Sequence, residues 1–308
     1  MKKPRSRLRT ILEYAFIRTL ALILLVLPLR AAVALGRCIT RLLGWIDRRH
    51  SRLALEAARD RLNLPEPEAA RLVSRMYGHL GTMLAEFPRQ SRLAPDNVDS
   101  FVDWGDIGET LAPLFAEGRG IIFTTGHIAN WELTGQAYTA KGYLHGSVAR
   151  PLDNPLLDAW ILRMRQARGQ VIWDKWGALR SALRALRNNQ GCGFLVDQNG
   201  GEDGVETVFF GSRCSSMAAP ADLALRTGAP IVPAALVRVA PMRFRAVWRT
   251  PVRANPEAAD PAAERARIVQ EYTAALESII REAPEQWLWM HRRWKPKKSW
   301  QSGGNSGK

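Results

Sequence analysis

The chain has 308 residues, 46% hydrophobic, 8% aromatic and 24% charged, which excludes disordered, collagen-like and coiled-coil chains and suits about two domains or one large domain with an appendage. The formal charge of +15 sits at the ends: residues 1–50 carry eleven Lys and Arg against two acids, residues 289–308 carry six against none, and the residues between them balance. Basic ends beside apolar or Trp-rich stretches suit an anionic membrane surface better than nucleic acid, whose binders carry the basic stripe on the folded body; solubilising tails are the plainer alternative.

From the N-terminus, Thr19 to Leu29 is almost uninterruptedly apolar, and the stretch reaches about Leu35 if Arg18 and Arg30 are tolerated near its ends. A helix needs about 20 apolar residues to span hydrocarbon, so this is a borderline span that Pro28 would kink. The basic start Met1–Arg9 and the small residues Ala31 to Ala34 imitate a signal peptide. Gly36 to Trp45 stays amphipathic and basic, which favours a retained membrane helix with an interfacial continuation. Residues 1–45 are therefore expected to form the anchor, 46–298 one folded domain, and the Gly/Ser-rich residues 299–308 a disordered tail.

Pro65 to Phe87 reads as a helix, since Ala69, Leu72, Met76 and Leu80 recur at three or four residues between two prolines. After a loop at Leu93–Asp99, short apolar runs alternate with helical spacing. Strands are expected at 120–125, 146–149, 170–173, 192–196, 207–210, 231–237 and 244–248. Helices are expected at 154–168, 178–188, 218–227 and 261–282. The alternation predicts an α/β fold with a central mixed sheet flanked by helices.

The first of these strands runs into Gly126-His127-Ile128-Ala129-Asn130-Trp131-Glu132. Strand ends are where α/β folds place functional groups, and a histidine with an acid nearby is a base with an orienting partner. Five residues rotate an ideal helix by about 500°, which leaves the His127 and Glu132 side chains about 140° apart, so they meet only if the backbone turns between them. A structural histidine is the competing explanation. There is no Gly-x-Ser-x-Gly elbow, no phosphate-binding loop and no Gly-x-Gly-x-x-Gly. The five histidines are scattered, and Cys38, Cys192 and Cys214 make no Cys-x-x-Cys pair, so no metal site, no disulfide framework and a reducing compartment are expected.

With these residues in view, the chain resembles the lipid A biosynthesis acyltransferases, the lauroyl/myristoyl transferase family that also holds the mycobacterial phosphatidylinositol mannoside acyltransferases. The 126–132 segment looks like that family's His-x4-Glu motif in its His-x-x-Asn-Trp-Glu form. Further landmarks come in the family's order: Arg150-Pro151 with Asn154-Pro155, Asp197-Gln198, Phe209-Phe210-Gly211, and Pro284-Glu285-Gln286-Trp287 with Trp289 and His291-Arg292-Arg293-Trp294. The likeness covers about Leu12 to Lys297.

The resemblance implies transfer of a fatty acyl chain from an acyl-carrier protein or acyl-CoA thioester to a hydroxyl of a glycolipid at the cytoplasmic face of the inner membrane. A lipid A precursor is the favoured acceptor, with a mannosylated phosphatidylinositol or an aminolipid behind it. His127 would be the general base and Glu132 its orienting acid. Arg150 would hold the oxyanion or an acceptor phosphate, and Asp197, at the end of the strand 192–196, would support the basic residues of the substrate site or cap a turn. A looser likeness of Val208–Ser215 to the Phe-Pro-Glu-Gly-Thr-Arg-Ser block of the wider glycerolipid acyltransferases, with Phe210 where the acid stands, makes Arg213 a second candidate to bind a phosphate. Neither a cofactor nor a nucleic-acid partner is implied. The C-terminal tryptophans and lysines would anchor at the bilayer interface. The rival from another class is a non-catalytic, membrane-tethered module that binds anionic ligands through its basic ends, and such a tether has no use for a His/Glu pair at a strand end.

Overall fold

The computed structural model describes residues 6–174 and 177–301. Four helices come first: α1 (Arg7–Val26), α2 (Leu29–Ile46), α3 (Arg48–Leu62) and α4 (Glu66–Glu86). The apolar N-terminal stretch is not one helix. α1 stops at Val26 and Pro28 opens α2, as expected of a residue with a preset φ and no N–H to donate. The last carbonyls of α1 are met by the buried guanidinium of Arg89, which donates to Leu25 O at 3.4 Å and Leu27 O at 2.5 Å, and within α4 to Ala85 O at 2.7 Å. Among the described residues no helix is long and apolar enough to cross a membrane, which corrects the borderline span.

Leu24, Ala32, Val33 and Ala85 make a small core where α1, α2 and α4 meet. α2 crosses α4 at Gly36 and Gly81, where a Cβ on Gly36 would lie 2.2 Å from the Gly81 carbonyl oxygen, so this approach requires glycine. The outer faces stay bare: Leu8, Leu12, Phe16 and Val26 on α1, and Leu42, Trp45 and Ile46 on α2, are exposed.

Beyond short 3-10 helices at Phe87–Arg92 and Val98–Ser100, the chain alternates as its periodicity predicts. β1 (Val102–Asp103), α5 (Ile107–Ala116), β2 (Ile121–Thr125), α6 (Trp131–Ala140), β3 (Gly146–Ala149), α7 (Pro155–Gln166), β4 (Val171–Asp174), α8 (Ala178–Arg187) and β5 (Gly191–Leu195) are followed by the hairpin β6 (Val205–Phe209) and β7 (Ser212–Ser216). Then come α9 (Ala219–Thr227), β8 (Ile231–Ala240), β9 (Arg243–Trp248), α10 (Pro261–Glu282) and the short α11 (Lys298–Gln301). Most of the tail expected to be disordered, residues 302–308, lies outside the described residues.

The seven-stranded sheet runs β1-β9-β8-β2-β5-β3-β4. It is mixed, as expected: β8 and β9 are antiparallel and the other neighbours parallel. β2 and most of β8 are buried on both faces, which accounts for the apolar runs Ile121–Phe123 and Ile231–Val237. β7 escapes a reading by periodicity because Ser212-Arg213-Cys214-Ser215-Ser216 is polar and becomes a strand only by pairing with β6. The hairpin carries Phe209 and Phe210 into an aromatic cluster with Trp287, Trp289 and Trp294. Trp287 and Trp289 are wholly buried there, so they belong to the core rather than to a bilayer interface.

Candidate active site

β2 and β5 lie side by side in parallel with Thr125 opposite Leu195, so the two chains leave the sheet at the same level. Two residues on, they present His127 and Asp197, and the His127 Nδ1 lies 2.8 Å from Asp197 Oδ1. The second carboxylate oxygen accepts the His127 backbone N–H at 2.7 Å and the Trp287 indole N–H at 2.8 Å. Gly126 makes room for this: a Cβ there would sit 3.1 Å from the Asp197 Cβ and carboxyl carbon.

The turn that carries His127 is held from three sides. Leu288 N–H donates to His127 O, and Ala129 N–H donates to Gln286 O, so the segment after α10 clamps it. Ala129 takes a left-handed φ of 51°, a conformation that a non-glycine residue keeps only when its surroundings enforce it. Asn130 caps α6 by accepting from Leu133 N–H at 3.1 Å, and its amide donates to Glu86 Oε2 at 3.0 Å. Glu86, fully buried, also receives two bonds from the Arg238 guanidinium at 2.8 and 2.6 Å and one from Met242 N–H at 2.9 Å. Removing either partner would strand a charge in the core.

Electrostatics define the His127–Asp197 pair. Burial alone would raise the Asp197 pKa, but the charge and hydrogen bonds of His127, with a share from His291, hold it far below the usual carboxylate range. Burial alone would likewise lower the His127 pKa; the Asp197 charge and hydrogen bond, helped by the charge of Glu132, outweigh it and hold that pKa above the ordinary histidine value. An ionised Asp197 only accepts, so the ring proton sits on Nδ1 and Nε2 keeps its lone pair. The His291 ring lies 4.9 Å from that of His127, and burial lowers its pKa. His127, Asp197 and His291 each offer a donor atom within 4.8 Å of the others and would be the residues to hold a cation, yet both Asp197 oxygens already accept N–H bonds.

Beside this pair lies a mostly apolar cavity of about 100 Å³. Its walls include Phe123, Trp131, Tyr138, Leu144, Val148 and Phe194. Trp131 links it to the histidine, its ring edge-on to that of His127 at 5.0 Å. Glu132 and Arg165 form the polar part of the wall and hold each other through two hydrogen bonds of 2.8 and 2.6 Å.

The expected site residues fare differently. His127 stands at the strand end as anticipated. Its ring is oriented by Asp197 rather than by Glu132, whose carboxylate faces Arg165 because α6 carries it around to the cavity side. Asp197 is wholly buried and offers no surface to a substrate; its hydrogen-bond partners are His127 and the Trp287 indole. Arg150 follows β3 with its side chain 74% exposed and 3.7 Å from Asp153, at a crevice that shares only Ala149 and Arg165 with the cavity. Arg213 pairs with Glu206 and stacks on Trp300 at 4.1 Å, on the hairpin and away from the cavity wall. Arg165 was not among the expected site residues, and Trp287 was expected as a landmark and interface residue rather than as a partner of Asp197. Arg165 carries no signal beyond being one basic residue in an amphipathic helix.

The profile of the family described as bacterial lipid A biosynthesis acyltransferase matches residues 1–296. The chain belongs to that family. It is also similar to the phosphatidylinositol mannoside acyltransferases of Mycobacterium tuberculosis strains CDC 1551/Oshkosh and ATCC 25618/H37Rv. Each is 27% identical over 122 residues, 38% of this chain and 39% of the relative. The aligned part thus spans well under half of those proteins.

Proposed function

We propose that the protein transfers a fatty acyl chain from a thioester, carried by acyl-carrier protein or CoA, to a hydroxyl of a lipid acceptor, with a lipid A precursor as the favoured acceptor. The observation that carries this reading is a buried His–Asp pair at a strand end beside an apolar cavity, in a chain of an acyltransferase family. His127 Nε2 takes the hydroxyl proton as the oxygen attacks the thioester carbonyl, and Asp197 stabilises the imidazolium that forms. The tetrahedral oxyanion then expels the thiolate, which recovers the proton from His127, so no acyl-enzyme is needed. The apolar cavity holds the acyl chain, and Glu132 and Arg165 fix its polar rim. The bare faces of α1 and α2, with Arg7, Arg9, Arg18, Arg30 and Arg41 nearby in sequence, suit attachment to an anionic bilayer without spanning it, at the cytoplasmic face of the inner membrane. The mycobacterial relatives favour a mannosylated phosphatidylinositol as the second candidate acceptor.

The test is acyl transfer by purified protein with each acceptor, read by mass spectrometry. His127→Ala should lose about 10²- to 10⁴-fold in rate while its melting temperature stays within a few degrees of wild type. Wild-type rates in His127→Ala would end the mechanism, and transfer to the mannosylated lipid alone would replace the acceptor.

A further inference from the structure

We infer that the anionic sugar headgroup of the acceptor lipid binds in a polar groove between α3 and the C-terminal segment, on Arg61, Arg292 and Lys295; this rests on the acyl-transfer reading above. The groove measures about 380 Å³ and shares no lining residue with the apolar cavity. Its inner end is His291, whose ring touches that of His127, so a ligand in the groove reaches the base from a different side than an acyl chain in the cavity. That separation suits a reaction that must bring a hydroxyl and a thioester together at one histidine.

The charge of the groove selects its ligand. Arg292 and Lys295 are exposed, and among the described residues neither pairs with a carboxylate. Arg61 lies over the Trp294 ring at 4.8 Å and donates to the Ser212 hydroxyl at 2.5 Å, which together fix its guanidinium, and its Nε is buried without a partner. The two acids of the groove, Glu56 and Asp60, are already engaged by Arg52 and Arg59. A surplus of cations without carboxylate partners around room for a sugar is the chemistry of a phosphate-bearing saccharide. The lipid part of such a ligand has a place as well, because α3 comes directly after the bare apolar end of α2 at Trp45 and Ile46.

The experiment uses the full chain, wild type against Arg292→Ala, Lys295→Ala and the double variant; both residues are exposed, so folding is spared. Steady-state transfer is measured with a phosphorylated glycolipid and with the same glycolipid dephosphorylated, with donor and acceptor varied separately. KM for the phosphorylated acceptor should rise about tenfold for each cation removed. The dephosphorylated acceptor should give the same KM with wild type and variants. An unshifted acceptor KM overturns the inference, and so does a rise in the donor KM instead, which would assign the patch to an acidic carrier protein. Thioester hydrolysis without acceptor separates the two levels: a wild type that neither hydrolyses nor transfers sinks the acyl-transfer reading itself, whereas His127-dependent hydrolysis with an unshifted acceptor KM sinks the groove alone.

Discussion

Replacing Asp197 with asparagine changes one atom and one charge, and the hydrogen bonds around the carboxylate dictate the outcome. All three of its partners donate: the His127 ring and backbone N–H and the Trp287 indole. An amide offers one acceptor and one donor group. The arrangement that saves most bonds puts its oxygen where Oδ2 stands, keeping the backbone and indole bonds, and turns its NH2 toward the His127 Nδ1. The ring must then carry its proton on Nε2, the nitrogen needed to accept one from the substrate. The charge is lost too: opposite unit charges about 4 Å apart at an effective dielectric of 20 attract by about 4 kcal/mol, which corresponds to about 10³-fold in rate. Asp197→Asn should therefore keep its fold, by circular dichroism and melting, and lose about 10³-fold or more in single-turnover acyl transfer. The acid limb of the pH profile should move as well. His127 must be neutral to act, so wild-type activity falls as pH drops through its raised pKa; without the carboxylate, burial dominates and the limb shifts to lower pH. A variant within threefold of wild type, with its acid limb unmoved, would refute the argument.

Glu132→Gln leaves the Arg165 guanidinium half-matched at the cavity wall and should destabilise by about 1–3 kcal/mol; the double change Glu132→Gln with Arg165→Gln should cost less than the sum of the two, as denaturant melts in a double-mutant cycle would register. Glu132→Gln should also lower the acid limb less than Asp197→Asn does, because Glu132 acts on His127 through charge alone. Val148→Trp fills part of the cavity and should shift the preferred acyl chain shorter, since each buried methylene is worth about 0.8 kcal/mol; competition between thioesters of different length reads this directly. Leu12→Glu with Phe16→Glu places two charges on the bare face of α1 and should reduce sedimentation with anionic vesicles at least severalfold, while the melting temperature holds because neither side chain is packed.

Sequence alone gave access to whatever is encoded over short distances. Apolar runs and proline or asparagine boundaries delimit β2, β3, β5, β8, β9, α4 and α10 to within a residue or three, because burial pattern and capping are local properties. The strand-end rule picks out His127, and the motif around it identifies the family. What the spacing could not reveal is the partner of that histidine. Glu132 is five residues away and lies on the wrong side of its helix, while Asp197 is seventy residues away and in contact. Only the crossovers through β3 and β4 bring β5 back beside β2, and only the register of Thr125 with Leu195 sets the two side chains level. The same holds for Trp287 and Trp289, whose composition suggests an interface and whose packing against Phe209 and Phe210 makes them core. Contacts of this kind are decided by which strands become neighbours, and that choice belongs to the burial of the whole chain rather than to any segment of it.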